Sequence, residues 1–457
     1  MKPRLLLPAL LAALTTSAIS AEPAADAQWP QWRGPLCNGV APQAEPPLKW
    51  SESENVKWKV AIPGSGTSTP IVWGGKVFLL TAMPSAAKAD AQPVAKTAPA
   101  PPPGEGGPGR RRGGPGGGMR SENPTQPYQF AVLCLDRATG KTLWQKTVHE
   151  TVPHEGHHRD HGFASASPVT DGKLLYAFFN SRGLYALDFE GNVKWEKDFG
   201  KMQTRNSFGE GASPALHGDT LVVNWDHEGD DFIAAFDKTT GKELWRKQRD
   251  EPTNWTTPLI VEHEGQAQVV VNGTNKVRAY ALKTGDLLWE AGGQTANAIP
   301  TPVSGHGLLI AMSGFRGSAV QAIKLGGKGD LTGTPSVVWS YNKGTPYVPS
   351  PLLYGDELYF YGGNNAMLSI FDARTGQRHV ESERLSGLSG VYASPVGAAG
   401  RVYLTGRDGA FLVLKSGPKL EVLATSKLDD QFDSSPAAAG KELFLRGHRS
   451  LYCIAEK

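Results

Sequence analysis

Cysteine is scarce in this chain. Its 457 residues hold three, Cys37, Cys134 and Cys453, and no two lie close together. An odd, scattered set excludes a disulfide-built framework. A surplus of one charge is missing too: 47 Lys and Arg stand against 44 Asp and Glu, a formal net charge of +3. That balance argues against a nucleic-acid partner, which asks for a strong basic excess. Long apolar runs are absent beyond the leader, and nothing later reaches the roughly 18 residues of a bilayer span. The leader has the form of a secretory signal. Lys2 and Arg4 precede the apolar run Leu5–Leu14, small residues follow from Ser17 to Ala21, and cleavage is expected after Ser20 or Ala21. No cysteine follows the run closely, so a lipid anchor is not expected. The reading is of an exported, periplasmic or secreted protein, monomeric and without a membrane span.

What the chain has in abundance is repetition. Ser-Pro or Thr-Pro recurs at Thr69, Ser167, Ser213, Thr257, Thr301, Ser350, Ser394 and Ser435, each followed by proline. Eight units are marked, at a spacing of roughly 40–50 residues after the first. Within a unit the order is constant: a short apolar run, a Gly turn, a β-branched run, a loop, a third apolar run, a Thr-Gly turn and a run carrying Trp. Short apolar and β-branched runs split by Gly and Asp turns are strands and hairpins. Four such strands repeated at this period predict the blade of a propeller.

The ends test that count. The last unit stops after its third strand, at "SLYCIAEK", while a spare strand, "NVKWKVAI", precedes the first unit. Lending one to the other closes the ring and removes its exposed edges. The fold class expected is therefore all-β: an eight-bladed β-propeller of four-stranded antiparallel blades, closed by an N-terminal strand. The domains expected are a signal peptide (1–21), an N-terminal extension (22–54) and the propeller (55–457). A Pro/Gly-rich insert (84–127) sits within blade one, with Arg110, Arg111, Arg112 and Arg120 making it basic. It cannot bury enough apolar area to order itself. It reads as a solvated linker, or as a tether to an anionic surface.

The phrases "DRATGKTLW" and "DKTTGKELW" then have a structural reading. Gly supplies a positive φ at the turn between the third and fourth strands. The outer-strand Trp wedges against the neighbouring blade, recurring as Trp58, Trp144, Trp195, Trp245, Trp289 and Trp339. Blade six has Val380 near that place and blade seven Val422. Cys134 and Cys453 fall at third-strand positions where other blades have Ala186, Ala235 and Ala279, and read as packing thiols.

The Asp-x-x-Thr-Gly-x-x-x-Trp phrase and the Ser-Pro starts resemble the pyrroloquinoline-quinone (PQQ) repeat family of β-propellers. That family includes quinoprotein alcohol dehydrogenases and the propeller lipoprotein of the outer-membrane barrel-assembly machine. The opening "WPQWRGPLCNGV" is similar to the start of secreted propellers of this family. For the dehydrogenases the resemblance implies two adjacent cysteines over the quinone, calcium held by Glu, Asn and Asp, and in some a haem. This chain has no adjacent cysteines and no Cys-x-x-Cys-His, and no calcium set can be assigned, so no cofactor is expected.

Strand order puts the second-to-third loops and the crossovers between blades on one face, where they are long and irregular. Binding is expected there, around a central funnel. The crossovers offer His161, Arg205, Asn206, Glu210, Trp255, Tyr347, Tyr392 and Asp433, and the loops Arg316, Asn364, Arg407 and Asp408. Arginines, amides and aromatics around one funnel suit an anionic or sugar-like ligand; a water-solvated polar rim is the alternative. His154, His157, His158 and His161 form the densest cluster and are a candidate zinc-type metal site, against the alternative of a hydrated crossover. The loop carrying Asp226, Glu228, Asp230 and Asp231 is a weaker candidate for calcium. No Ser-His-Asp set or phosphate-cradling loop can be assigned. The reading is of a binding or assembly scaffold with a protein or glycan partner in the envelope. Two enzymes stay open as alternatives: a PQQ-dependent dehydrogenase of alcohols or sugars, and a metal-assisted hydrolase using the His154–His161 cluster.

Overall fold

A computed structural model describes residues 25–85 and 121–456. The expected signal peptide (1–21) and most of the blade-one insert (84–127) therefore lie outside the described residues.

Strand follows strand through eight sheets, six of four strands and two of five. The four blade strands are antiparallel and, except in blade eight, follow chain order from inner to outer, as in blade three: Ala215–His217, Thr220–Trp225, Phe232–Asp237 and Glu243–Gln248; each five-stranded sheet adds one parallel strand. The chain is an eight-bladed β-propeller. Blade eight is completed from the other end of the chain: Val56–Ala61 pairs antiparallel with Ser450–Ile454, with Trp58 opposite Cys453. In blade one the second strand runs to Pro84 and the third begins at Tyr128, paired to their last residues, so the insert leaves from the tip of that hairpin.

The blades are riveted by the repeated Trp. Trp58, Trp144, Trp195 and Trp245 each donate their indole N–H to a carbonyl of the next blade, at 2.8–3.0 Å: Arg137, Phe189, Lys238 and Leu282. The same ring covers the next blade's turn glycine. A Cβ on Gly140 (φ +74°) would stand 2.7 Å from Trp58, and one on Gly285 (φ +72°) 2.5 Å from Trp245. Glycine is therefore required twice, for the left-handed backbone and for the close approach. Behind each Trp the paired third-strand residue is small: Cys134, Ala186, Ala235, Ala279, Ala322 or Cys453. Blades six and seven lack the Trp and carry larger residues behind it, Ile370 opposite Val380 and Val413 opposite Ala424. Volume is thus conserved across the pair. The blade-seven equivalent is Ala424 rather than Val422, because a bulge between Val413 and Leu414 shifts the register. Cys134 and Cys453 are both free and buried, and burial raises both thiol pKa values, that of Cys134 to about 12.

The Ser/Thr-Pro starts have a physical reason that the repeat count alone does not give. The backbone N–H of each donates to the hydroxyl oxygen of the next: Thr69 to Ser167, Ser167 to Ser213, Ser213 to Thr257, Thr257 to Thr301, Thr301 to Ser350, Ser350 to Ser394, and Ser394 to Ser435. A belt of side-chain hydrogen bonds circles the axis where inner strands of neighbouring blades cannot pair by backbone. At the closing step Ser434 Oγ donates instead to the carbonyls of Thr67 and Ser68.

The N-terminal extension crosses the axis on the face of the short turns. Trp29 bridges Val72 in blade one, and the Pro30 carbonyl accepts the N–H of Thr170 in blade two. Three residues on, the buried Arg33 guanidinium donates to the carbonyls of Pro351 (2.6 Å) and Pro395 (2.9 Å), on the opposite side of the ring. Val40–Ala41 then joins the inner strand of blade seven in parallel. The extension closes that end of the channel.

Candidate functional site

Closing one end leaves a blind funnel on the other face. Its cavity measures about 570 Å³, and its floor and walls include Trp32 from the extension, the belt residues Thr69, Ser167, Ser213, Thr257, Ser394 and Ser435, and the aromatics Phe208, Trp255, Phe315, Tyr347 and Tyr392. Seven of the eight belt hydroxyls, all but that of Thr69, accept a neighbour's N–H, and six of the eight belt residues line this space. Trp255 is held by its indole N–H on the Gly209 carbonyl (2.7 Å), and Tyr347 stacks on Phe315 with ring centres 4.9 Å apart.

The crossover from blade one to blade two runs over this space as a bar. At one side the His158 N–H donates to the Phe208 carbonyl, at 2.9 Å. At the other, Asp160 takes the Tyr392 hydroxyl at 3.1 Å and Arg407 at 3.2 Å, although Arg407 lies 247 residues away in blade seven. Arg407 lies over the Tyr392 ring, 3.8 Å from its centre, and forks onto Asp433 at 2.6 and 3.1 Å. Asp433 also accepts His448 Nε2 at 2.9 Å. Burial works to raise the Asp160 pKa, but the Arg407 and Tyr392 hydrogen bonds outweigh it and hold the carboxyl below its ordinary value. Burial, then the Asp160 charge, pushes the Tyr392 hydroxyl up to about 12.

Of the residues expected from sequence, His161, Trp255, Tyr347, Tyr392 and Asp433 line the funnel, together with His158. Arg407 stands behind them as the clasp. The others are drawn elsewhere. Glu210 is buried and spent on Arg182 (2.8 Å) and Ser181. Asn364 accepts the Val348 N–H and shapes a loop. Arg205 reaches Asn297 at 3.3 Å, while Asn206 and Arg316 are exposed at positive φ, the latter beside the Phe315 ring. Asp408 faces a separate cleft with Lys427 and Arg449. Trp32, Phe208 and Phe315 are among the lining residues that the sequence did not single out, and Asp160 was read only with the histidine cluster. Trp32 lay in a segment read only as an extension, and the reach of Asp160 has no local signature.

The four histidines diverge. His154 Nε2 donates to the Met202 carbonyl (2.6 Å), His157 packs edge-on to Phe163, His158 edge-on to Phe208, and His161 Nδ1 meets the Ser165 hydroxyl at 2.8 Å. Burial, helped by the His157 charge, lowers the His161 pKa to about 4, so it is neutral. Among the described residues the grouping with metal-ligand spacing is instead His154, Glu155 and Glu210, within 4.8 Å of one another. Each is already occupied, Glu155 by the N–H and hydroxyl of Thr204 and Glu210 by Arg182. Carboxylates of the Asp226 loop are likewise engaged by protein groups. Asp226 forks onto the fully buried Arg249 at 2.6 and 2.9 Å, and Asp231 accepts the Glu251 N–H.

The residues present do not fit the quinone site that the resemblance implies. Cys37 packs by the extension, Cys134 and Cys453 are buried within blades one and eight, and none lines the funnel.

A family model described as outer membrane protein assembly factor BamB matches residues 129–330. No curated protein matches the chain. The solved quinohemoprotein alcohol dehydrogenase from Comamonas testosteroni is similar in structure, with a TM-score of 0.60 at 10% identity over 95% of this chain and 81% of that one. Quinohemoprotein alcohol dehydrogenase ADHIIG from Pseudomonas putida HK5 gives 0.56 at 11% over 94% and 80%. The computationally designed Ika8 protein gives 0.51 at 13% over 73% and 94%. At these identities the likeness is one of fold. The ring, its repeat and the family model together define the class: the chain is a PQQ-repeat β-propeller. Within that class the matched segment runs from the third strand of blade one to the end of the strand added to blade four.

Proposed function

We propose that this propeller is an exported, monomeric binding or assembly scaffold that receives its partner through the funnel face. The observation that carries the reading is a blind, aromatic-walled cavity of about 570 Å³, within the usual range for ligand sites, on the face of the irregular loops. The family model over residues 129–330 is named for an assembly factor, which favours a protein or glycan partner of the cell envelope. No helix among the described residues is long and apolar enough to cross a membrane. The carboxylates near the funnel are committed to Arg407, Arg182 and Thr204, which favours recognition over catalysis.

Retention from envelope extracts on the immobilised protein tests this, with Trp255→Ala beside the wild type. Specific retention that the variant loses supports it. Retention of nothing, or equal retention by both, sinks it. Dye reduction after loading with the quinone and calcium would replace it with a dehydrogenase.

A further inference from the structure

Three features of the funnel bear on what it takes. Its aromatic faces stand on separate walls: Trp255 before blade four, Tyr347 before blade six, Tyr392 before blade seven, with Trp32 in the floor. Its charges balance locally, Arg159 and Arg407 standing against Asp160 and Asp433. Its floor is closed, and it is ringed by hydroxyls whose oxygens already accept a backbone N–H, which turns their O–H groups toward other acceptors.

We propose, resting on the reading that the funnel receives the ligand, that it binds carbohydrate and takes the end of a neutral glycan chain. A pyranose ring presents an apolar C–H face and a rim of hydroxyls. The C–H face packs on the negative face of an aromatic ring, and the rim needs donors and acceptors together. Separate aromatic walls with a hydroxyl floor and an Asp–Arg–Asp cluster supply both. A polyanion would meet Asp160 and Asp433 along with Arg407, and a polycation would meet Arg407, so neither gains from the site's charge. The volume holds about two or three sugar rings, at the lower-middle of the range for ligand cavities. Because the extension blocks the far end, a chain cannot pass through, and a terminus is what fits.

The test titrates the full-length mature protein with neutral malto-, cello-, xylo- and chito-oligosaccharides of two to six units, read by calorimetry and tryptophan fluorescence. At least one series is expected to bind in about the micromolar to millimolar range, with affinity levelling off by three or four units. Trp255→Ala is expected to weaken it at least tenfold, and Trp255→Phe, which keeps a ring in place, to restore most of it. Circular dichroism and the unfolding midpoint show whether the variants fold. Tyr347→Ala gives a second reading away from the Trp255–Gly209 contact.

No binding at about 10 mM by any neutral series overturns the proposal. So do binding by sulfated chains alone, and affinity that keeps rising to six units, which would mean the chain runs past the floor. If the sugars fail while envelope extracts still yield a partner lost in Trp255→Ala, the carbohydrate inference falls and the scaffold reading stands.

Discussion

Ser213 shows how much one hydroxyl does in this fold. It accepts the Ser167 N–H at 2.8 Å while its own N–H reaches Thr257 at 3.0 Å, and all three residues are buried. Removing the hydroxyl leaves the Ser167 N–H without an acceptor in a place water reaches poorly. The cost of an orphaned buried donor is about 1–3 kcal/mol. Ser213→Ala is therefore expected to lower stability by that amount in chemical denaturation. Ser213→Thr should stay within about 0.5 kcal/mol, because the belt already uses Thr at 69, 257 and 301. Equal losses in the two variants would mean that packing, not the hydrogen bond, sets the requirement. The same residue marks what was legible from sequence. Ser-Pro could be counted as a blade start because it recurs, but its partner lies 44 residues on, and no local pattern announces a bond across blades.

At the scale of an element, the crossover of residues 152–165 is pinned at its tip by groups from the far side of the ring. Asp160 meets Arg407 and Tyr392, and Arg407 is itself anchored on Asp433. The Asp160 pKa is depressed in the fold, so this tie is fully present above the unfolded carboxyl value near 4 and is lost as pH falls through the lower folded value. The clasp is thus closed throughout the neutral range. Asp160→Asn is expected to speed hydrogen exchange of residues 157–162 by about tenfold at pH 7, roughly the effect of one exposed ion pair and one hydrogen bond, while exchange elsewhere is unchanged. An unchanged rate at those amides would show that the bar is held by its His158–Phe208 side alone. Sequence reading found the faces of the propeller because they follow from strand order, and it found Trp255, Tyr347 and Tyr392 because crossovers lead into the funnel. It misplaced Glu210, Asn364 and Asp408 on the same reasoning. Loop membership says which face a residue is on, but whether its side chain turns to the cavity depends on partners such as Arg182 or Lys427, supplied by neighbouring segments.

At the scale of the whole molecule, two parts of the N-terminal segment do separate things. Val56–Ala61 finishes blade eight by pairing with Ser450–Ile454 and gives Trp58 to blade one, so hydrogen bonds close the circle. Residues 29–44 instead cross the axis and close the floor, through Trp29, Trp32 and Arg33. The first job was legible in sequence, because a missing strand at one end matched a spare strand at the other. The second was not, because "WPQWRGPLCNGV" has no strand period and its contacts are mostly to backbone carbonyls of blades far away in the chain. The two jobs separate by truncation. A chain lacking residues 22–62 exposes Ser450–Ile454, a buried apolar strand, as an open edge. It is expected to oligomerise in size-exclusion chromatography with light scattering, and to return to a monomer when a peptide of residues 45–62 is added. A chain lacking only residues 22–44 keeps the closing strand. It is expected to stay monomeric with a lower unfolding midpoint, since the apolar surface under Trp29 and Val40 becomes wet and the carbonyls of Pro351 and Pro395 lose Arg33. The floor would then be open, and any ligand whose affinity depends on a blind funnel should bind the shorter chain less tightly. A monomer that unfolds at the full-length midpoint after loss of residues 22–62 would mean that the blades hold their circle without the borrowed strand.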